Sequence, residues 1–247
     1  MTRAGASLFF LLAVYGVTLD AARPRTVPAE TSVSAPGSDT PNSPGALASG
    51  NPTVPVELIV GHGQFREGFL TQVRQEAEAI WRKNGVTIIW RSGPPSACDS
   101  PLRVWLARTQ KPNVVPDVAM GSILFDHGVP LPVIHLSVEN VERLLRSVPL
   151  TAEGPALHEL QVARALGRSL AHEIGHYVLS RQTHERKGLM RATWPIQEAA
   201  GADRRNFELM PDQRAAAIER LAAERVACDG ADAGGGAIDP PGQGRAD

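Results

Sequence analysis

Five consecutive residues, His172-Glu173-Ile174-Gly175-His176, combine side chains that can bind and use a metal ion. In a helix, residues four apart share one face, with Cβ atoms about 5–6 Å apart. His172 and His176 can therefore bind one zinc ion through ring nitrogens at about 2.0–2.1 Å. Glu173 lies beside the first histidine and can take a proton from a zinc-activated water and return it to a leaving amine. The spacing predicts a zinc centre in which Glu173 is the general base.

A catalytic zinc needs a third protein ligand and an open fourth position. His184 follows His176 by eight residues, in a polar segment beyond the expected end of the helix. A chain that leaves the helix there can turn back and offer this imidazole as the third ligand. Gly188-Leu189-Met190 comes next and reads as a tight turn that presents a methionine.

The segment HEIGHYVLSRQTHERKGLM, residues 172–190, resembles the metzincin clan of zinc endopeptidases. Its members carry H-E-x-x-H-x-x-G-x-x-H or D, followed by a methionine turn beneath the metal. The resemblance covers about residues 54–194 and implies a zinc ion bound by the three histidines. It also implies that Met190 is the floor of the site and not a ligand. In that clan an edge strand of the sheet binds extended substrate, and residues 119–125 are the candidate here.

The chain departs from the metzincin pattern after its first five residues. Leu179 stands at the usual glycine position and Gln182 at the usual third-ligand position, so His184 comes two residues late. His184 remains the preferred ligand, because imidazole binds zinc far better than an amide does. The rival is Glu198, whose distance from the motif resembles the thermolysin-like clan, where a second helix donates a glutamate. Its flanking residues, PIQEAAGAD, match that clan poorly.

The elements that must position these residues alternate between strands and helices. Apolar residues at helical spacing predict helices over 65–83, from about 153 to 179, and over 211–227. Short apolar or alternating runs predict strands over 54–60, 86–90, 102–107, 119–125 and 133–138. This order predicts an α+β fold: a twisted mixed sheet of four to five strands, a long backing helix, an active-site helix and a C-terminal helix.

The two ends of the chain have a different composition. Arg3 and the apolar run 8–17, too short to span a bilayer, predict a signal peptide over residues 1–22 and export to the periplasm or beyond the cell. Residues 23–53 read as a disordered linker or pro-segment, and 229–247 as a disordered tail. The zincin-like catalytic domain is then expected within 54–228, with no membrane anchor once the signal peptide is removed.

Global properties narrow the function further. The formal net charge of -1 gives no indication of a nucleic-acid partner. Cys98 and Cys228 are the two cysteines, and in an exported protein they either pair or remain free thiols. The leading hypothesis is a zinc endopeptidase that acts on a peptide or protein substrate. The alternative is an exported domain that binds zinc without turnover.

Overall fold

The computed structural model of the chain has an α+β architecture with one mixed sheet and several helices, which confirms the predicted fold class. It describes residues 7–8, 51–61, 65–92, 101–108, 119–147 and 154–233. Most of the predicted signal peptide and linker, and the end of the predicted tail, lie outside the described residues. The Cys98 and Cys228 side chains also lie outside them, so their pairing stays a prediction.

Five strands form the body of the sheet: β2 (Thr53–Val60), β3 (Thr87–Trp90), β4 (Leu102–Ala107), β5 (Gly121–Asp126) and β6 (Val129–Ser137). These five strands agree with the predicted four to five, and a two-residue strand, β1 (Ser7–Leu8), pairs at one edge from outside the predicted domain. The strand order is β1-β5-β6-β4-β2-β3. β3, β2, β4 and β6 run parallel to one another, whereas β5 runs antiparallel to β6. The sheet is therefore mixed: its strands are parallel toward the β3 edge and antiparallel toward the β5 edge.

The β4 strand shows why these residues form a sheet with one covered face. Leu102, Val104 and Leu106 are buried, and Arg103 and Trp105 between them are exposed. Successive side chains of a strand point to opposite faces, so this alternation places one face against the core. The helices supply the other half of that core.

The helices are α1 (Glu67–Lys83), α2 (Val138–Arg146), α3 (Pro155–Leu179), α4 (Ile196–Ala200) and α5 (Pro211–Ala233). The ends of α1 and α3 lie within two residues of their predicted positions. The prediction for α5 was wrong at its end, since this helix continues six residues past 227 into the segment expected to be a disordered tail. Within the described residues, no helix has both the length and the apolar character needed to cross a membrane.

Two helices were not predicted, α2 and α4. The predicted strand 133–138 ends at Val138, but Val138 is the first residue of α2. The hydroxyl of Ser137 accepts a hydrogen bond from the backbone N–H of Asn140 at 3.3 Å, which caps the new helix. The strand and the helix thus meet without a loop, and the apolar pattern alone gave no boundary between them.

The helix α3 carries the histidine motif and packs closely against α1. A Cβ atom at Gly167 would lie 2.5 Å from the Cβ of Glu76 and 2.7 Å from the carbonyl oxygen of Val73. The absence of a side chain at this point lets the two helices approach each other. Next to it, the fully buried Arg168 donates from Nε to a carboxylate oxygen of Glu76 at 2.8 Å. This ion pair joins α3 to α1.

Candidate metal centre

Three imidazole rings meet at the C-terminal half of α3. The Nε2 atom of His176 lies 3.0 Å from Nε2 of His172 and 3.2 Å from Nε2 of His184. Ligands on a tetrahedral zinc at about 2.05 Å are about 3.3 Å apart, so the observed separations agree to a few tenths of an ångström. These three histidines form a group that can hold a metal ion.

The hydrogen bonds of the first two rings determine which nitrogen faces the centre of the group. Nδ1 of His172 lies 2.7 Å from the carbonyl oxygen of Leu189, and Nδ1 of His176 lies 2.6 Å from that of Arg181. A carbonyl oxygen can only accept, so each Nδ1 carries the hydrogen and donates it. In a neutral imidazole the Nε2 atom is then a bare lone pair. The two lone pairs face each other at 3.0 Å, an arrangement that a shared cation would stabilise.

A proton is a poor candidate for that cation. Burial, together with the neighbouring imidazoles, lowers the pKa of His172 well below its usual range and the pKa of His176 to about 4. Burial also lowers the pKa of His184. The rings are therefore neutral near pH 7, which is the form that binds a metal. The donor set and the held tautomers fit a transition metal that favours imidazole, zinc among them.

His184 reaches the group because the chain reverses direction after α3. The helix is followed by Ser180, whose backbone is left-handed with φ 51°. Four residues later comes His184, and the backbone N–H of Glu185 then donates to the carbonyl oxygen of Met190 at 2.8 Å.

The turn beneath the group contains Met190. A Cβ atom at Gly175, inside the histidine motif, would overlap the sulfur of Met190, which is buried. The absence of a side chain at Gly175 therefore makes room for this thioether side chain. Gly188 opens the turn with φ 79°, and the N–H of Leu189 donates to the carbonyl oxygen of Glu208 at 2.8 Å. The turn is therefore fixed from both sides.

Glu173 is almost entirely buried next to His172, with 3% of its surface exposed. Burial raises the pKa of its carboxyl from 4.5 to about 8. A group whose pKa lies near neutrality can both accept and donate a proton, as a general base and acid must. The residue type, its position and its electrostatics therefore suit the predicted role.

Glu198, the rival third ligand, has a different partner. One carboxylate oxygen accepts a hydrogen bond from Arg191 at 2.8 Å, and both side chains are about three-quarters buried. Among the described residues, the metal-binding group contains the three histidines and not Glu198. The structure thus brings His184 to the other two histidines and gives Glu198 an ion pair.

Two aromatic rings border the histidines. Phe125, on β5, lies edge-to-face with His176, with 6.3 Å between ring centroids. Trp194 lies perpendicular to the ring of His172, with 5.0 Å between centroids. No sequence pattern predicted that either ring would contact the histidines. The only hint in the sequence that Trp194 lies near the site was its short distance from Met190 along the chain. The contact of Phe125 depends on how the sheet packs on α3.

The two backbone carbonyls that hold the rings were also missed, because main-chain acceptors leave no trace in residue types. Comparison with known proteins gave no further assignment: no family model, curated protein or solved structure matches the chain.

Proposed function

We propose that this chain is an exported zinc-dependent endopeptidase with a metzincin-like site. The observation that carries the proposal is the pair of neutral imidazole lone pairs that face each other at 3.0 Å beside a buried glutamic acid. His172, His176 and His184 would hold the ion. Zinc in such a site lowers the pKa of its water to near 7 and polarises a carbonyl.

The residues of the chain supply the remaining steps. The Glu173 carboxylate takes a proton from the attacking water and, once protonated, delivers it to the leaving amide nitrogen. Burial raises the pKa of this carboxyl in the metal-free protein, and a bound cation would lower it again toward the ionised form that a general base requires.

Strand β5 is the proposed binding edge for extended substrate. It is the antiparallel outer member of the five-stranded body of the sheet, and its residue Phe125 contacts the ligand His176. Main-chain hydrogen bonds to a sheet edge recognise a peptide without demanding a given side chain. β1 pairs with Leu124 and Phe125 at this same edge, and it lies within the predicted signal peptide, so removal of that peptide would leave the edge open to an extended backbone.

The number of protein ligands and the carboxyl of Glu173 both favour a catalytic site over a site that only binds metal. A structural zinc site is closed by four protein ligands, whereas three protein ligands leave a position for water. The described part of the chain supplies three. The thermolysin-like alternative is less well supported, since the Glu198 carboxylate is engaged by Arg191.

Purified protein without its predicted signal peptide, loaded with zinc, tests this function on casein. We expect cleavage by the wild type and a loss of about 10²–10⁴-fold in the Glu173→Gln variant, because an amide cannot transfer the proton. The variant should retain the zinc content of the wild type. Zinc binding without cleavage by the wild type would favour the non-catalytic alternative, and a chain that binds no zinc would contradict both.

A further inference from the structure

Trp194 carries a polar group that the site described so far does not use. Only 5% of the residue is exposed, and its indole N–H is buried with no acceptor in the described part of the chain. A buried donor without a partner costs free energy, so such groups are rare and call for an explanation such as a missing ligand or a role in catalysis. The donor belongs to a ring in direct contact with the metal-binding group.

The packing around Trp194 holds its ring at the edge of the histidines. It lies perpendicular to His172 at 5.0 Å between centroids, and 5.2 Å from the ring of Phe207 on another side. His172 offers no acceptor of its own, since its Nδ1–H donates to Leu189 and its Nε2 faces the other imidazoles. Among the described residues, the indole N–H of Trp194 therefore has no acceptor.

We propose that Trp194 is a further catalytic residue, whose Nε1–H donates to the carbonyl oxygen of the scissile peptide as that oxygen gains negative charge. This inference rests on the proposed peptidase function. An indole N–H only donates, so it can serve a negatively charged oxygen at any pH at which the fold is stable. Donors fixed in advance at a developing oxyanion lower the barrier by more than they strengthen substrate binding.

The experiment uses the zinc-loaded protein and acetohydroxamate, an oxygen ligand that needs no sequence-specific pocket. Trp194→Phe keeps an aromatic ring against His172 and Phe207 but removes the N–H. We expect acetohydroxamate affinity to fall by about 10- to 100-fold, as for loss of one hydrogen bond to a charged group. Affinity for imidazole, which offers the N–H no oxygen, should stay within about threefold because the metal site is intact.

Trp81 provides a matched control. It is fully buried on α1, and its indole N–H already donates to the carbonyl oxygen of Ala171 on α3 at 3.1 Å. Trp81→Phe should lower the melting temperature and leave acetohydroxamate affinity within about threefold. Equal losses of affinity in the two variants would show a general effect of disturbed packing and would overturn the proposal.

Nuclear magnetic resonance gives a readout that does not depend on turnover. The chain has four tryptophans, so Trp194→Phe identifies the Trp194 indole N–H signal by its loss. Acetohydroxamate should move this signal downfield, and imidazole should not. A Trp194 indole N–H signal that does not shift when acetohydroxamate is added would overturn the proposal. A response to acetohydroxamate in a protein that never cleaves casein would contradict the proposed function while leaving the donor in place.

Discussion

Glu173→Gln should make the stability of the metal-free protein much less dependent on pH. Burial raises the pKa of the Glu173 carboxyl from 4.5 to about 8, so between those values the folded state holds a proton that the unfolded state has released. The folded state is favoured at the acidic end of this range, and that advantage is lost as the pH rises to 8. Glutamine has the same shape and no titrating group.

The size of the effect follows from the same two pKa values. Each pH unit between 4.5 and about 8 corresponds to about 1.4 kcal/mol, or about 5 kcal/mol over the whole range. The Gln variant should therefore match the wild type near pH 4.5 and exceed its free energy of unfolding by up to about 5 kcal/mol at pH 8 and above. His172 and His176 titrate in both proteins, so their contributions cancel in the difference.

Denaturant unfolding in the presence of a chelator, at about pH 5 and about pH 8.5, measures this difference directly. Added zinc should reduce the difference in free energy of unfolding between the two proteins at the higher pH, because a nearby cation favours the ionised form of the Glu173 carboxyl. A gap between the two proteins that is the same at both pH values would refute the reasoning. The carboxyl of Glu173 would then be hydrated in solution and would not have a raised pKa.

Three further outcomes concern the metal and its support. His184→Ala should weaken zinc binding by at least 100-fold, because structural zinc sites gain about 10–16 kcal/mol from four ligands and this variant loses one ligand. Glu198→Ala should keep its zinc affinity within about threefold of the wild type. Competition with a chelator measures the zinc affinity of both variants. Stripping zinc from the wild type should lower the melting temperature, because free zinc at 100 times its Kd adds about 2.7 kcal/mol to the folded state. Gly175→Ala should destabilise the protein by about 1–3 kcal/mol in denaturant unfolding, because its methyl would overlap Met190, and Met190→Ala in the same chain should relieve part of that loss.

Local patterns predicted the helices and strands that carry the site. The ends of α3 were readable because Pro155 suits a first helical turn and the apolar stripe stops at Leu179. The two histidines four residues apart already determine that both imidazoles lie on one face of that helix. Where a strand passes directly into a helix, as at Ser137, periodicity gave no boundary and α2 was missed.

Long-range packing determined what no local pattern could. The histidine spacing left His184 and Glu198 as rivals, and the reversal of the chain at Ser180 brought the first to the group while Arg191 engaged the second. The depth at which Glu173 is buried, and hence its raised pKa, likewise depends on how α3 packs in the fold.

The sequence by itself determined the chemistry available to this protein: two imidazoles and a carboxyl on one turn of helix, with a third imidazole near in the chain. The tertiary structure alone decided how those groups are held. Main-chain carbonyls of Leu189 and Arg181 orient the rings, and Trp194 comes to lie against His172 with its N–H unpaired. The physical reason is that ring orientation, burial and the pairing of polar atoms are set by contacts between segments distant from one another in the chain, whereas helical spacing is set within a single turn.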